Sequence, residues 1–302
     1  MAKDTVKGSI ATVGVFDGVH LGHVKILEIV SSRARELGLT AAILTFDPHP
    51  DEVLGKLKTQ RFLLTTQHEK EILITNLGID VAMVVEFTTT MARLDTASFV
   101  DEFLLKSLRL KELVVGHDFR MGREREGDRA LLRSLGARSG FSVIDVEAVL
   151  VDGIPVSSTR VREAVMAGDM DLAAKLLGRG YSLEGIVVRG DGIGKSLGFP
   201  TANISVHEKK LLPPDGVYAG YAEVEGRTFK AAINIGLRPS VRGGVRLVEA
   251  YLIGFGEGIL GATVTLTFVV KMRPEMKFSN REELKRAITK DVEKIAYLLE
   301  PQ

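Results

Sequence analysis

Apolar positions in the first part of the chain alternate between two spacings. Ile10, Val13 and Val15 form a short run punctuated by Gly14 and Asp17-Gly18. Ile26, Leu27, Val30, Ala34 and Leu37 then recur at helical spacing, with Gly38 as a C-terminal stop. The next run, Ala41 to Phe46, ends at Asp47-Pro48-His49-Pro50, where two prolines interrupt regular structure. Val81–Val85, Leu113–Val115 and Ser142–Val146 read as further strands, separated by helices near Gln67–Leu77, Ala97–Leu108 and Asp128–Ser139. Strands alternating with helices predict an α/β unit, a parallel sheet covered on both faces, with ligands beyond the carboxyl ends of the strands.

After about residue 180 the pattern changes. Thr263–Val270 alternates strictly, with Val264, Leu266, Phe268 and Val270 on one side. Val217, Ala219 and Tyr221 repeat the period of two, and Glu225-Gly226 reads as a hairpin turn. Helical spacing returns only from Arg281 to Leu299, where Ser279 or Asn280 can cap. This half predicts an antiparallel β-barrel or sandwich closed by one helix. Gly178-Arg179-Gly180 is the natural boundary, giving domains 1–180 and 181–302. A chain of 302 residues suits two domains of the usual size.

Composition narrows the chemistry. Forty basic residues against 39 acidic ones leave a formal charge of +1, which argues against a large footprint for nucleic acid or an anionic membrane. The absence of cysteine excludes disulfides, thiolate nucleophiles and Cys-based metal sites. Met1-Ala2-Lys3-Asp4 opens no signal pattern and no apolar stretch is long enough to span a bilayer, so the expected location is the cytoplasm.

The unusual residues collect in two places. In Gly14–His23, a buried strand turns into a helix, with Gly18 and Gly22 permitting close approach to the backbone and His20 and His23 three apart at the helix opening. A helix N-terminus with two imidazoles suits a triphosphate and the charge that moves onto a leaving pyrophosphate. The spacing is not a zinc His-Glu-x-x-His, and incidental surface histidines are the bland alternative. Ser157-Ser158-Thr159-Arg160 opens a second helix with hydroxyl, backbone and guanidinium donors for one anion, or serves as an ordinary N-cap. In Gly190–Asn203, Gly194-Lys195-Ser196 imitates the end of a P-loop, but its spacing is one residue short and Leu197-Gly198-Phe199-Pro200 opens no helix. What remains is a glycine-rich turn able to wrap phosphates. Thr201 and Asn203, two apart on an extended segment, offer neutral oxygens for Mg²⁺, or simply close a hydrogen-bonded turn.

The segment Gly14–His23 resembles the histidine-x-glycine-histidine signature of nucleotidyltransferases. With Gly14, Phe16, Asp17, Gly18 and Gly22 it is similar to the adenylyltransferase half of bacterial bifunctional riboflavin kinase/FAD synthetases. Thr45–Pro50, with Asp47 and His49, resembles that family's loop at the flavin and phosphate end. Gly116–Gly122 resembles the strand end that meets the nucleotide through Asp118, and Val156–Arg162 resembles the phosphate-engaging motif. Leu197–Asn203 (LGFPTAN), Gly216–Gly220 and Asn234–Ser240 resemble riboflavin kinases in the same order. The resemblance implies a Rossmann-like N-terminal domain, a Greek-key barrel, ATP and flavins as substrates, Mg²⁺ at Thr201 and Asn203, and Glu249 as the kinase base. It assigns His20 and His23 to the ATP phosphates as catalytic groups, with Gly194 and Lys195 in the kinase's phosphate turn. Lys195, Ser240, Tyr251 and Gly254 depart from the family's common arginine, threonine, histidine and aspartate. Small molecules are the expected partners, without nucleic acid or membrane, and weak self-association stays open. A nucleotidyltransferase for pantetheine or nicotinate nucleotides, and a non-catalytic flavin- or RNA-binding regulator, remain as alternatives.

Overall fold

The computed structural model describes residues 8–57, 59–190, 192–237 and 246–300. Two compact units are present: residues 1–60 with 65–158, and residues 61–64 with 159–302.

In the first unit, β1 (Ser9–Val13), β2 (Thr40–Asp47), β3 (Val81–Glu86), β4 (Leu110–Gly116) and β5 (Ser142–Val146) form a parallel sheet in the order β3-β2-β1-β4-β5. The crossovers carry α1 (Leu21–Leu37), α2 (Gln67–Asn76), α3 (Thr96–Phe99, continued as a π-helix over Val100–Ser107) and α4 (Arg129–Ser139). Side chains alternate across the sheet as a strand requires. Ile10, Ile43 and Val114 pack with Leu27 and Val30 of α1 and Ile74 of α2. Ala11, Leu44 and Val115 pack on the other face with Phe99, Leu104 and Leu132. The strand order reverses direction at β1 and β4, so their carboxyl ends bound the crevice where such sheets place ligands. A two-stranded hairpin, β6 (Leu150–Val151) with β7 (Ile154–Pro155), turns through Asp152 and Gly153 at φ of 54° and 75°. The sequence pattern does not reveal it, because its strands are too short to show a period.

The second unit contains α5 (Ser158–Ala167), whose first residue belongs to the first unit, and α6 (Met170–Leu177). β8 (Tyr181–Val188), β9 (Ala202–Val206), β10 (Gly216–Val224), β11 (Arg227–Leu237), β12 (Arg246–Leu252) and β13 (Thr263–Arg273) close an antiparallel barrel in the order β10-β11-β12-β9-β8-β13. A barrel, and not a sandwich, is therefore formed. Glu225 and Gly226 make the β10–β11 turn with φ of 51° and 72°, the left-handed pair a tight hairpin needs. Val264, Leu266 and Phe268 are buried, but Val270 faces out. Gly220 pairs with Phe268 and Ala219 with Val270, leaving Val269 as an extra residue. That bulge reverses the facing beyond it, which strict alternation cannot foresee. Asn280 caps α7 (Arg281–Leu298), accepting from Glu283 N at 2.9 Å, and Ile295 packs on Val217 and Ala219 of the barrel wall.

Candidate active sites

Beyond β1 the chain makes a strained loop before α1. Phe16, Gly18 and Val19 have φ of 53°, 82° and 40°, two of them at residues that carry a Cβ. Buried polar contacts hold the loop. Asp17 Oδ1 accepts from Thr65 N at 3.0 Å and Thr65 Oγ1 at 3.3 Å, while Gly18 N donates to Thr65 Oγ1 at 3.0 Å. Ser158 Oγ, within the same unit, donates to the Asp17 carbonyl at 2.8 Å. Phe16 is buried, with its ring over Gly14, where a Cβ would come within 2.9 Å.

His20 is the N-cap of α1, its side chain accepting from His23 N at 3.4 Å. The two imidazoles stack, with centroids 3.7 Å apart and planes 15° apart. Gly22 leaves room for this: a Cβ there would lie 3.2 Å from the His20 ring. His23 Nδ1 is buried with no hydrogen-bond partner among the described residues. Burial, then the neighbouring His20 and Lys70, hold the His23 imidazole well below its ordinary pKa, so it is neutral at physiological pH. The first turn of α1 carries no acidic residue, so no carboxylate there offsets the positive end of the helix dipole toward an anion.

The remaining first-site candidates are placed less uniformly. Asp47 ends β2 and is exposed. His49 Nδ1 accepts from Asp51 N at 3.1 Å, capping a single helical turn that Pro50 begins. The second proline therefore starts a turn of helix, as N1 allows. Asp118, beyond β4, stands in solvent with its side chain 82% exposed. Ser157 precedes α5, and Thr159 and Arg160 follow Ser158 in its first turn on the second unit's side of the division.

In the barrel, Glu249 of β12 pairs directly with Asn203 of β9 and with Asn234 of β11. Directly paired residues share a face, so these three polar side chains leave the barrel wall together. Val248, Ala250 and Leu252 alternate inward and are buried. Glu249 and Tyr251 line a cavity of about 310 Å³ completed by Thr201, Met276 and residues of α7. A second cavity, about 560 Å³, is lined by Gly190, Gly192, Asn203, Gly256 and Gly258. Thr201 borders both cavities. Any Cβ on Gly190 would overlap the Asn203 amide, and one on Gly194 would lie 2.9 Å from Thr201 Oγ1. The glycines thus let the turn close onto the two proposed metal ligands. The backbone of Lys195 lies in the single helical turn Ile193–Ser196, and its side chain, like all of Ser240, is outside the described residues.

Residues 2–160 match the family model described as FAD synthetase, and residues 177–299 match the one described as riboflavin kinase. The chain belongs to the bifunctional riboflavin kinase/FMN adenylyltransferases. Curated members from Bacillus subtilis, Haemophilus influenzae and Escherichia coli K12 are 36%, 37% and 35% identical, over 96%, 97% and 94% of this chain and 92%, 94% and 91% of theirs. A crystal structure from Streptococcus pneumoniae, described as a macrolide-efflux protein, superposes with a TM-score of 0.86 at 26% identity, covering 96% of this chain and 95% of that one. Among the described residues no helix is long and apolar enough to cross a membrane. The adenylyltransferase of this bifunctional family is the N-terminal region and the riboflavin kinase the C-terminal one.

Two contributors escape sequence reasoning. Lys70 lies inside the first unit, only 6% exposed, on a helix whose exposed face would be the default place for a lysine. Thr65 supplies both the N–H and the hydroxyl that fix Asp17 and Gly18. The capping box Thr66-x-x-Glu69 is a legible signal for the start of α2, and Lys70 stands three, four and seven residues before Leu73, Ile74 and Leu77 on the apolar face, a spacing that its charge masks.

Proposed function

We propose that residues 1–180 adenylylate FMN and that residues 181–302 phosphorylate riboflavin, with the site residues acting as follows. The FMN phosphate attacks the α-phosphorus of ATP and pyrophosphate leaves. His20 and His23, at the N-terminus of α1, hydrogen-bond the ATP phosphates and follow the charge as it moves onto the leaving group. Ser157, Ser158, Thr159 and Arg160 engage the phosphate chain, Asp118 the nucleotide, and Asp47 and His49 the flavin end. Gly14, Gly18 and Gly22 let the backbone and the His20 ring approach that phosphate closely, and Phe16 supports the loop from beneath. No covalent intermediate is needed, because orientation and preorganised donors lower the barrier.

In the kinase region, Glu249 accepts the proton of the ribityl 5′-hydroxyl as the hydroxyl oxygen attacks the γ-phosphorus of ATP, the bond to the bridging oxygen breaks and ADP leaves. The 310 Å³ cavity that Glu249 lines takes the flavin. The cavity lined by Gly190 and Gly192 takes the nucleotide, with Gly194 and Lys195 in its phosphate turn. Thr201 and Asn203 offer hard, neutral oxygens beside a carboxylate, a donor set that fits Mg²⁺. When bound there, Mg²⁺ would neutralise charge on the transferring phosphate. Thr201, bordering both cavities, orients the two substrates toward each other. A cytoplasmic, reducing location belongs to the same reading, and a chain without cysteine suits it.

The observation that carries the assignment is the stacked His20–His23 pair at the opening of α1. The test is incubation of the full chain with riboflavin, ATP and Mg²⁺, followed by chromatography. His20→Ala should accumulate FMN without FAD. Glu249→Gln should make no FMN yet still convert supplied FMN to FAD. Loss of FMN formation in His20→Ala, failure of Glu249→Gln to convert supplied FMN to FAD, or normal products in both variants refutes the residue roles.

A further inference from the structure

Lys70 is a buried lysine, 6% exposed, in the first unit. It leaves α2 and reaches the carboxyl ends of two adjacent strands. Its Nζ donates to the Val15 carbonyl at 3.2 Å and to Thr45 Oγ1 at 3.1 Å. Thr45, itself fully buried, donates its hydroxyl to the same Val15 carbonyl at 3.1 Å. One ammonium therefore joins the exit of β1 to the end of β2, immediately before the loop with left-handed φ at Phe16, Gly18 and Val19. That loop delivers His20 to the cap of α1. A buried charge is costly to desolvate, and a neutral side chain of similar length would fill the same volume at less cost.

We propose that Lys70 is a positioning residue for adenylyl transfer: its ammonium clamps Val15 and Thr45 and so fixes the loop that presents His20 and His23. The proposal rests on the reading of those histidines as the phosphate-binding pair. It adds a cation beneath the point where a polyanion and its leaving group collect charge. The charged groups around it agree with this use. Burial draws the Lys70 ammonium below its ordinary pKa, while Asp17 in the loop, Asp47 at the end of β2 and Glu71 on its own helix act to keep it charged. His23 in turn has His20 and Lys70 as its charged or titrating neighbours, and both disfavour its protonation. Lys70 thus helps to keep the His23 imidazole neutral beside the His20 ring that accepts the α1 backbone N–H.

Lys70→Met, made in the full chain, tests this. FAD formation from supplied FMN should lose about tenfold or more in kcat, with KM for ATP and for FMN changed by less than about threefold, because alignment is lost more than binding. The acid limb of the FAD-forming pH profile should move to higher pH, since removing the cation lets His23 protonate more readily. A lysine needed only for folding would lower the melting temperature and leave kcat per folded molecule and the pH profile where they were, and that result overturns the proposal. Should Lys70→Met fail to fold, Thr45→Val removes one acceptor of the clamp while keeping shape. It should lower kcat in the same direction, and an unchanged kcat there is equally fatal. His20→Ala is measured beside them. If it keeps FAD formation, the histidine reading falls and the proposal with it. If it loses FAD formation while Lys70→Met does not, only the role of Lys70 falls.

Discussion

His20 and His23 are joined twice, by the His20 side chain accepting the His23 backbone N–H at 3.4 Å and by ring stacking at 3.7 Å between centroids. Stacking this close favours neutral rings, since two imidazolium ions would repel. It ties the neutral state of His23 to the integrity of the helix start.

The first consequence concerns pH. His23 is held below the ordinary value of 6.5, so below that pH the unfolded chain takes up a proton that the folded one does not. Stability contributed by neutral His23 is present above the unfolded value and is lost as pH falls toward the lowered folded value. The melting temperature should therefore drop between pH of about 7 and about 5, and His23→Gln should flatten that slope. Equal slopes in the two proteins would show that other groups set it.

Gly22 is placed by the His20 ring and not by its own dihedrals. A Cβ at 3.2 Å must push the ring by a few tenths of an ångström, whereas alanine in a helix is at least as stable as glycine. Gly22→Ala should therefore change stability by less than about 1 kcal/mol while cutting FAD formation about tenfold. Parallel calorimetry and steady-state assays check it, with FMN formation as the unaffected comparison.

Gly190 makes the corresponding case in the barrel. Any side chain there displaces the Asn203 amide, so Gly190→Ala should depress FMN formation severely and spare FAD formation from supplied FMN. An unimpaired kinase would remove Asn203 from the site.

Thr201 borders both barrel cavities. Thr201→Val keeps the shape and deletes the hydroxyl oxygen. The Mg²⁺ concentration for half-maximal FMN formation should rise, by about tenfold if one ligand of typical worth is lost. Chelation with EDTA should stop FMN formation in the parent protein, and excess Mg²⁺ should restore it.

Much of this was legible in the residues alone. The parallel strands appear as apolar runs because a sheet covered on both faces packs both sides of its central strands β1, β2 and β4, and the barrel appears as period two because one face of each strand is inward. The motif at Gly14–His23 is visible because two of the chain's six histidines fall with three glycines in one short segment. What the residues alone could not decide is which partners meet across the chain. Lys70 looks like any lysine of an amphipathic helix until the fold turns it beneath Val15 and Thr45. Val270 looks like a core residue until one extra residue in β13 reverses its direction. Glu249 is one glutamate among many until strand register sets it between Asn203 and Asn234. Local pattern dictates elements, because periodicity and caps act over a few residues. Register, bulges and buried polar contacts depend on residues distant in sequence, and only the tertiary structure brings those together.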